Sequence, residues 1–161
     1  MIRISTLLTT VVLTGCATVP GPLQGDYTVI AAREAAVGNQ VRIGGSVIET
    51  TPTADSTCLE VLGKPLLASS RPRDGDATEG RFLACKKGSF LDPEIFVRGR
   101  AVTLTGTVEG FVEERIGDAP YRMPKIDVAE IVLWPERTEP TIIVEHPPFW
   151  GWPFCGRYGC W

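Results

Sequence analysis

The side chains able to do covalent chemistry in this chain are few: five cysteines and a single histidine. Cys16 stands apart from the others. It closes an uncharged, mainly apolar stretch that begins at Ile4, it follows Leu13, Thr14 and Gly15, and Arg3 is the one cation ahead of it. Cys58, Cys85, Cys155 and Cys160 are an even set, which in an oxidising compartment favours disulfides. They lack the close Cys-x-x-Cys spacing of structural zinc sites, so no metal is expected. His146 precedes Pro147-Pro148 with no orienting acid in view, a poor base for a Ser-His-Asp or Cys-His nucleophile. No two glycines stand two positions apart and no Gly-Lys-Ser/Thr occurs, so phosphate-cradling loops are absent. The residues make no case for catalysis or for a cofactor.

The surroundings of Cys16 resemble the bacterial lipobox, the recognition site of the lipoprotein signal peptidase. The apolar stretch is about ten residues, right for a signal-peptide core and short of the ~20 that a spanning helix needs. The resemblance implies that Leu13, Thr14 and Gly15 are read by the peptidase, that Cys16 takes a diacylglycerol thioether, and that cleavage after Gly15 frees an N-terminus for a further acyl chain. Three chains on one residue give firm anchoring. The position after Cys16 is Ala17, where an Asp would imply retention at the inner membrane in many enteric-type bacteria. The expected location is therefore the outer membrane, lipid-anchored on the periplasmic face, with membrane lipid as the first partner.

The net charge of −3 comes from interspersed signs rather than blocks. Nucleic-acid binding needs a clustered basic patch and is not expected. The nearest approach to one, Arg71-Pro72-Arg73, is answered by Asp74 and Asp76 and reads as a solvated loop.

Four segments follow from composition: a signal peptide over 1–15 that is removed, a lipidated tether over 16–26 carrying Pro20-Gly21-Pro22, a β-barrel domain over 27–135, and a tail over 136–161. Within the domain, Tyr27 to Ala36 reads as a short helix ended by Gly38-Asn39. Gln40 to Thr50 is a strand with a bulge or sharp coil at Gly44-Gly45. Thr57 to Leu62 is a second strand, with Leu59 and Val61 on one face and Cys58, Glu60 and Leu62 on the other. Ser69 to Gly80 is an exposed polar loop, and Gly80 to Lys86 a third strand. Asp92-Pro93-Glu94 carries a cap, a first-turn proline and an acid, so a short helix is expected to run to Arg98-Gly99. Arg100 to Arg115 alternates Val102, Leu104, Gly106 and Val108 against Thr103, Thr105, Thr107 and Glu109, the strongest strand signal in the chain. Gly117-Asp118 marks a hairpin. Tyr121 to Trp134 completes the set, its phase slipping at Ala129-Glu130.

The order of three strands, a short helix and two strands matches a small five-stranded, partly open OB-like barrel, mainly β with one or two short helices. An antiparallel second and third strand would set Cys58 near Cys85. That pairing, with Cys155–Cys160 closing a small glycine-bearing loop, is preferred among the three connectivities four cysteines allow.

The tail is the other unusual segment. Phe149, Trp150, Trp152, Phe154, Tyr158 and Trp161 crowd it without strand alternation. Three readings stand: an interfacial segment at headgroup level, an arm offered to an envelope protein partner, or a flap over the barrel mouth.

Several stretches resemble the Slp family of outer-membrane lipoproteins: Gly80 to Ala84, Gly88-Ser89-Phe90-Leu91-Asp92-Pro93 with Phe96, Arg100 to Val108, Gly44 to Ile48, Leu59-Glu60-Val61, and Tyr121 to Trp134. The resemblance spans residues 13 to 135. It implies a periplasm-facing outer-membrane lipoprotein of the starvation or stress type, with no enzymatic activity to carry over. The extra cysteines and aromatic tail depart from the enteric pattern. The expected role is a non-enzymatic envelope-binding or structural module. The alternatives are a carrier of a small apolar ligand in the barrel and, last, a periplasmic hydrolase.

Overall fold

A computed structural model describes residues 18–137 of the chain. The lipobox, Cys16, Cys155, Cys160 and the six tail aromatics singled out above lie outside the described residues.

The fold is mainly β. The long strands are β2 (Gln40–Pro52), β3 (Ser56–Gly63), β4 (Gly80–Lys87), β5 (Ala101–Ile116) and β6 (Ala119–Leu133), preceded by a two-residue β1 (Thr28–Val29). The sheet order is β1-β2-β3-β4-β6-β5, and β2 pairs again with β5. The five long strands thus close a ring of hydrogen bonds, antiparallel except for the short β4–β6 seam at Leu83–Cys85 and Lys125–Asp127. This is the strand order and single parallel seam of an OB-type barrel, with one small strand added at the edge of β2.

One strand must serve two neighbours for the ring to close. The first half of β2, from Gln40 to Ser46, pairs with β5, and the second half, from Gly45, pairs with β3. At the crossover a Cβ on Gly45 would lie 1.9 Å from the carbonyl oxygen of Leu62. Only a residue without a side chain lets the strands approach so closely. The sharp coil falls where Gly44-Gly45 was expected to place it. The register slip itself lies further on, between Val47 and Glu49.

Strand alternation fills the ring. Val41, Ile43, Val47, Leu59, Val61, Phe82, Ala84, Val102, Leu104, Val108 and Ile126 are all essentially buried and form one cluster. β3 alternates buried and half-buried along its whole length, with Leu59 and Val61 inside. Ala129 is the extra residue between the Thr105–Glu130 and Gly106–Val128 pairs. The phase slip read from Ala129-Glu130 is therefore a bulge, and it returns Ile131 and Leu133 to the core side.

Two expected helices are absent. Tyr27 to Ala36 contains β1 and a single 3-10 turn at Ala32–Glu34. Ala31 and Ala32 are buried there, and the Arg33 amide donates to the Glu79 carbonyl, so the backbone is committed to a neighbouring loop. Asp92-Pro93-Glu94 makes one turn only. Asp92 Oδ1 accepts from the Glu94 amide at 2.9 Å, and the Ile95 and Phe96 amides both reach the Asp92 carbonyl. The chain then serves the edge of β2 that β5 has left. The Gly99 amide donates to Val47 O, the Val47 amide to Arg100 O, and the Thr50 hydroxyl to Phe96 O. An edge strand's unmet backbone groups outweigh a local helix signal.

Candidate functional site

The surface of the ring is where partners can act, because its interior is occupied by its own side chains. The first surface feature lies just after the expected anchor. The 3-10 turn Gly21–Leu23, with Pro22 in its first turn, places Leu23 in full burial. Arg42 on β2 donates from Nε to the Leu23 carbonyl at 2.8 Å, and Gln24 Nε2 donates to Val19 O. The polypeptide leading from residue 18 is therefore fastened to the ring from Leu23 onward. It leaves a short lead between residue 16 and the protein body.

The second feature is covalent. Cys58 and Cys85 face each other across β3 and β4, with Cα atoms 4.0 Å apart, and are joined by a disulfide. The bond ties the two strands beside the parallel seam. A charged cluster lies along that seam: Lys87 Nζ is 2.7 Å from Glu109 Oε1 and 3.1 Å from Asp127 Oδ2, and Lys125 Nζ is 3.3 Å from Glu109 Oε2. Hydrogen bonding to Glu109 and then Asp127 raises the pKa of Lys87, and the Lys87 hydrogen bond lowers that of Glu109.

Third, an open cleft of about 370 Å³ forms where β6 ends, lined by Arg71, Asp74, Arg98, Arg100, Trp134 and Arg137 among others. The loop is exposed from Arg73 to Thr78 as expected, but at Arg71 and Pro72 its geometry corrects the reading of Arg71-Pro72-Arg73 as a solvated loop. Pro72 pairs with Leu66 in an isolated bridge, and Ser70 is buried in a left-handed conformation, φ 65°, the only positive φ outside glycine among the described residues. The buried Thr103 hydroxyl donates to Ser70 O at 2.7 Å and accepts from Trp134 Nε1 at 2.9 Å. The turn thereby sets the Arg71 guanidinium 5.6 Å from the Trp134 ring centre and lets Arg71 donate to Pro135 O. Backbone strain of this kind persists only where surroundings over-determine it. Sequence reasoning missed the cleft because its arginines come from three distant segments. The one local hint was Arg98-Gly99-Arg100.

A further cleft, about 350 Å³, is lined by Glu49, Cys58, Glu60, Leu83, Glu114 and Met123, with two threonines. Glu60 there is paired with Arg81 at 2.7 Å. No helix among the described residues is long and apolar enough to cross a membrane.

The family model described as the outer membrane lipoprotein Slp family matches residues 13–160. An uncharacterized lipoprotein, YeaY, of Escherichia coli (strain K12) is 33% identical over 156 residues, 88% of this chain and 79% of that protein. Outer membrane protein Slp of the same strain is 35% identical over 98 residues, 61% of this chain and 51% of that protein. A solved structure titled "OBody AM3L09 bound to hen egg-white lysozyme" superposes with TM-score 0.40 and 18% identity, over 68% of this chain and 96% of that one.

Proposed function

Because the chain belongs to the outer membrane lipoprotein Slp family, we propose that it is a lipid-anchored module, acylated at Cys16, that works by binding at the periplasmic face of the outer membrane rather than by catalysis. The observation that carries the reading is that the family match begins at residue 13, so it takes in Leu13-Thr14-Gly15-Cys16, the four residues that resemble a lipobox. The fold supports it. Leu23, fully buried on the ring, lies close in sequence to the acylated cysteine. The intervening chain reaches about 25 Å at most when fully extended, at roughly 3.5 Å per residue. The ring is held close to the bilayer instead of ranging through the periplasm.

A binding role fits the surface better than a carrier role fits the interior, since the core cluster fills the ring. An envelope component at the membrane surface is the expected partner. The family's association with starvation or stress suggests that the module reinforces the envelope under such conditions.

The anchoring reading is tested by Cys16→Ser in growing cells. The parent protein should float with outer-membrane vesicles in a sucrose gradient and incorporate labelled palmitate. The variant should lose the label and, left uncleaved, no longer float with the outer-membrane vesicles. Unchanged flotation and labelling would overturn it.

A further inference from the structure

We propose that the arginine cleft at the end of β6 is a binding site for the phosphate of a lipid headgroup, giving the protein a second hold on the membrane beside its acyl chains. The inference deepens the anchoring reading and rests on it only for how the cleft comes to meet headgroups.

The first argument is charge. Arg71, Arg98, Arg100 and Arg137 line the cleft against two carboxylates, Asp74 and Glu136, leaving it cationic by two in a chain whose net charge is −3. Planar guanidinium groups gathered from separate segments suit an oxyanion with several acceptor atoms.

The second argument is unmet hydrogen bonding. The Nε atoms of Arg71 and Arg100 are buried and find no acceptor among the described residues, two of the three such side-chain atoms there. Glu136 approaches Arg100 Nε only to 3.7 Å. That ion pair is too long to be a hydrogen bond. Arg98 makes no hydrogen bond or ion pair among the described residues. Arg137 is paired with Asp74. Arg98 thus presents an exposed guanidinium with no protein acceptor, beside two arginines whose own hydrogen bonding is incomplete, and a phosphate has the oxygens to engage it.

The third argument is construction. Arg71 is held on Trp134 by a strained Ser70 whose carbonyl is locked to Thr103. Arg100 is held by the carbonyls of Ile95 and Trp134, both at 3.3 Å. These arginines are placed before any ligand arrives, which lowers the ordering cost of binding.

The neighbouring surface selects a lipid over a bare anion. Ile95 and Val97 are exposed, at 51% and 38%, on the segment that supplies Arg98, and Trp134 forms a wall of the cleft. An apolar rim beside a cationic cleft matches the boundary between headgroup and acyl chain.

The test uses the full chain with Cys16→Ser, so that no acyl chain contributes, and follows the arginine Nε–Hε signals by NMR. The probe is dihexanoyl phosphatidylglycerol below its micelle concentration, compared with inorganic phosphate. We expect saturable shifts at Arg71, Arg98 and Arg100 with the lipid and binding at least about tenfold weaker with inorganic phosphate. Arg98→Gln, at an exposed and unpartnered site, should fold normally and weaken lipid binding about tenfold, the loss of one charge-assisted hydrogen bond. No saturable shift with the lipid would overturn the proposal. So would equal affinity for inorganic phosphate, which would make the cleft a free-anion site, or an Arg98→Gln variant that binds like the parent. Because acylation is removed throughout, failure here leaves the Cys16 flotation result untouched.

Discussion

Lys87 on β4 and Glu109 on β5 form a 2.7 Å ion pair although their strands never pair with each other. β6 lies between them. The contact exists because Glu109 is the extra residue where β5 slips register between Val108 and Gly110, and the bulge turns its carboxylate across β6 toward Lys87 and Lys125. A local irregularity in one strand thus cross-braces the ring at its short parallel seam.

This pair sets a pH dependence. Glu109 is held below its ordinary 4.5 by Lys87, so its contribution is present above pH 4.5 and lost as pH falls through the folded value. Lys87 is held above 10.5, first by Glu109, so its contribution is present below pH 10.5 and lost as pH rises through the folded value. The two side chains are 61% and 33% exposed. The effect is therefore small and screened by salt. Glu109→Gln should lower the melting temperature by a few degrees at most near neutrality. It should also flatten the acid and alkaline limbs, as read by thermal melts across both pKa values at low and high salt.

Removing the Cys58–Cys85 bond should matter more. Its ends are 27 residues apart. Closing a loop of that size restricts the unfolded chain by about 3–4 kcal/mol in the chain-entropy treatment. Cys58→Ser with Cys85→Ser should lower the urea midpoint accordingly, and reduction of the parent protein should lower it by at least as much. Equal midpoints for oxidised and reduced protein would mean the bond contributes nothing.

Two glycines should resist any side chain. A Cβ at Gly45 would lie 1.9 Å from Leu62 O, and one at Gly106 would lie 2.2 Å from Asp127 O, both backbone atoms that cannot yield without opening the ring. Gly45→Ala or Gly106→Ala should cost about 2–4 kcal/mol or prevent folding. Gly110→Ala, with nothing within 4 Å of its added methyl, should leave the unfolding curve in place.

Leu23→Ala tests the fastening of the N-terminal lead. The side chain is fully buried. Its loss should destabilise by about 2–4 kcal/mol. It should also expose the lead to protease, with new cleavage before residue 28 detected by mass spectrometry.

Sequence alone carried the strands and their partners a long way. Period-two alternation in β3 and β5 separated the two faces of each strand, the slip at Ala129-Glu130 located a bulge, and antiparallel reading of two short strands put Cys58 near Cys85, where the structure joins them. These were legible because each depends on neighbours within one strand or one hairpin. The Leu13-Thr14-Gly15-Cys16 pattern is likewise local, a single short window of sequence.

What tertiary structure decided was everything that hung on closure of the ring. The free edge of β2 took the 92–100 segment as backbone partner, so a capped helix start became one turn. The outward threonines Thr103 and Thr105 became buried, because the 66–72 loop and the turn carrying Leu23 fold over the outside of the sheet. The same folding-over gathered Arg71, Arg98, Arg100 and Arg137 from three segments into one cleft. No sequence window holds that cluster. Hydrophobic periodicity records which side of a strand faces inward, but which loop comes to cover the other side is settled only when the edges find partners.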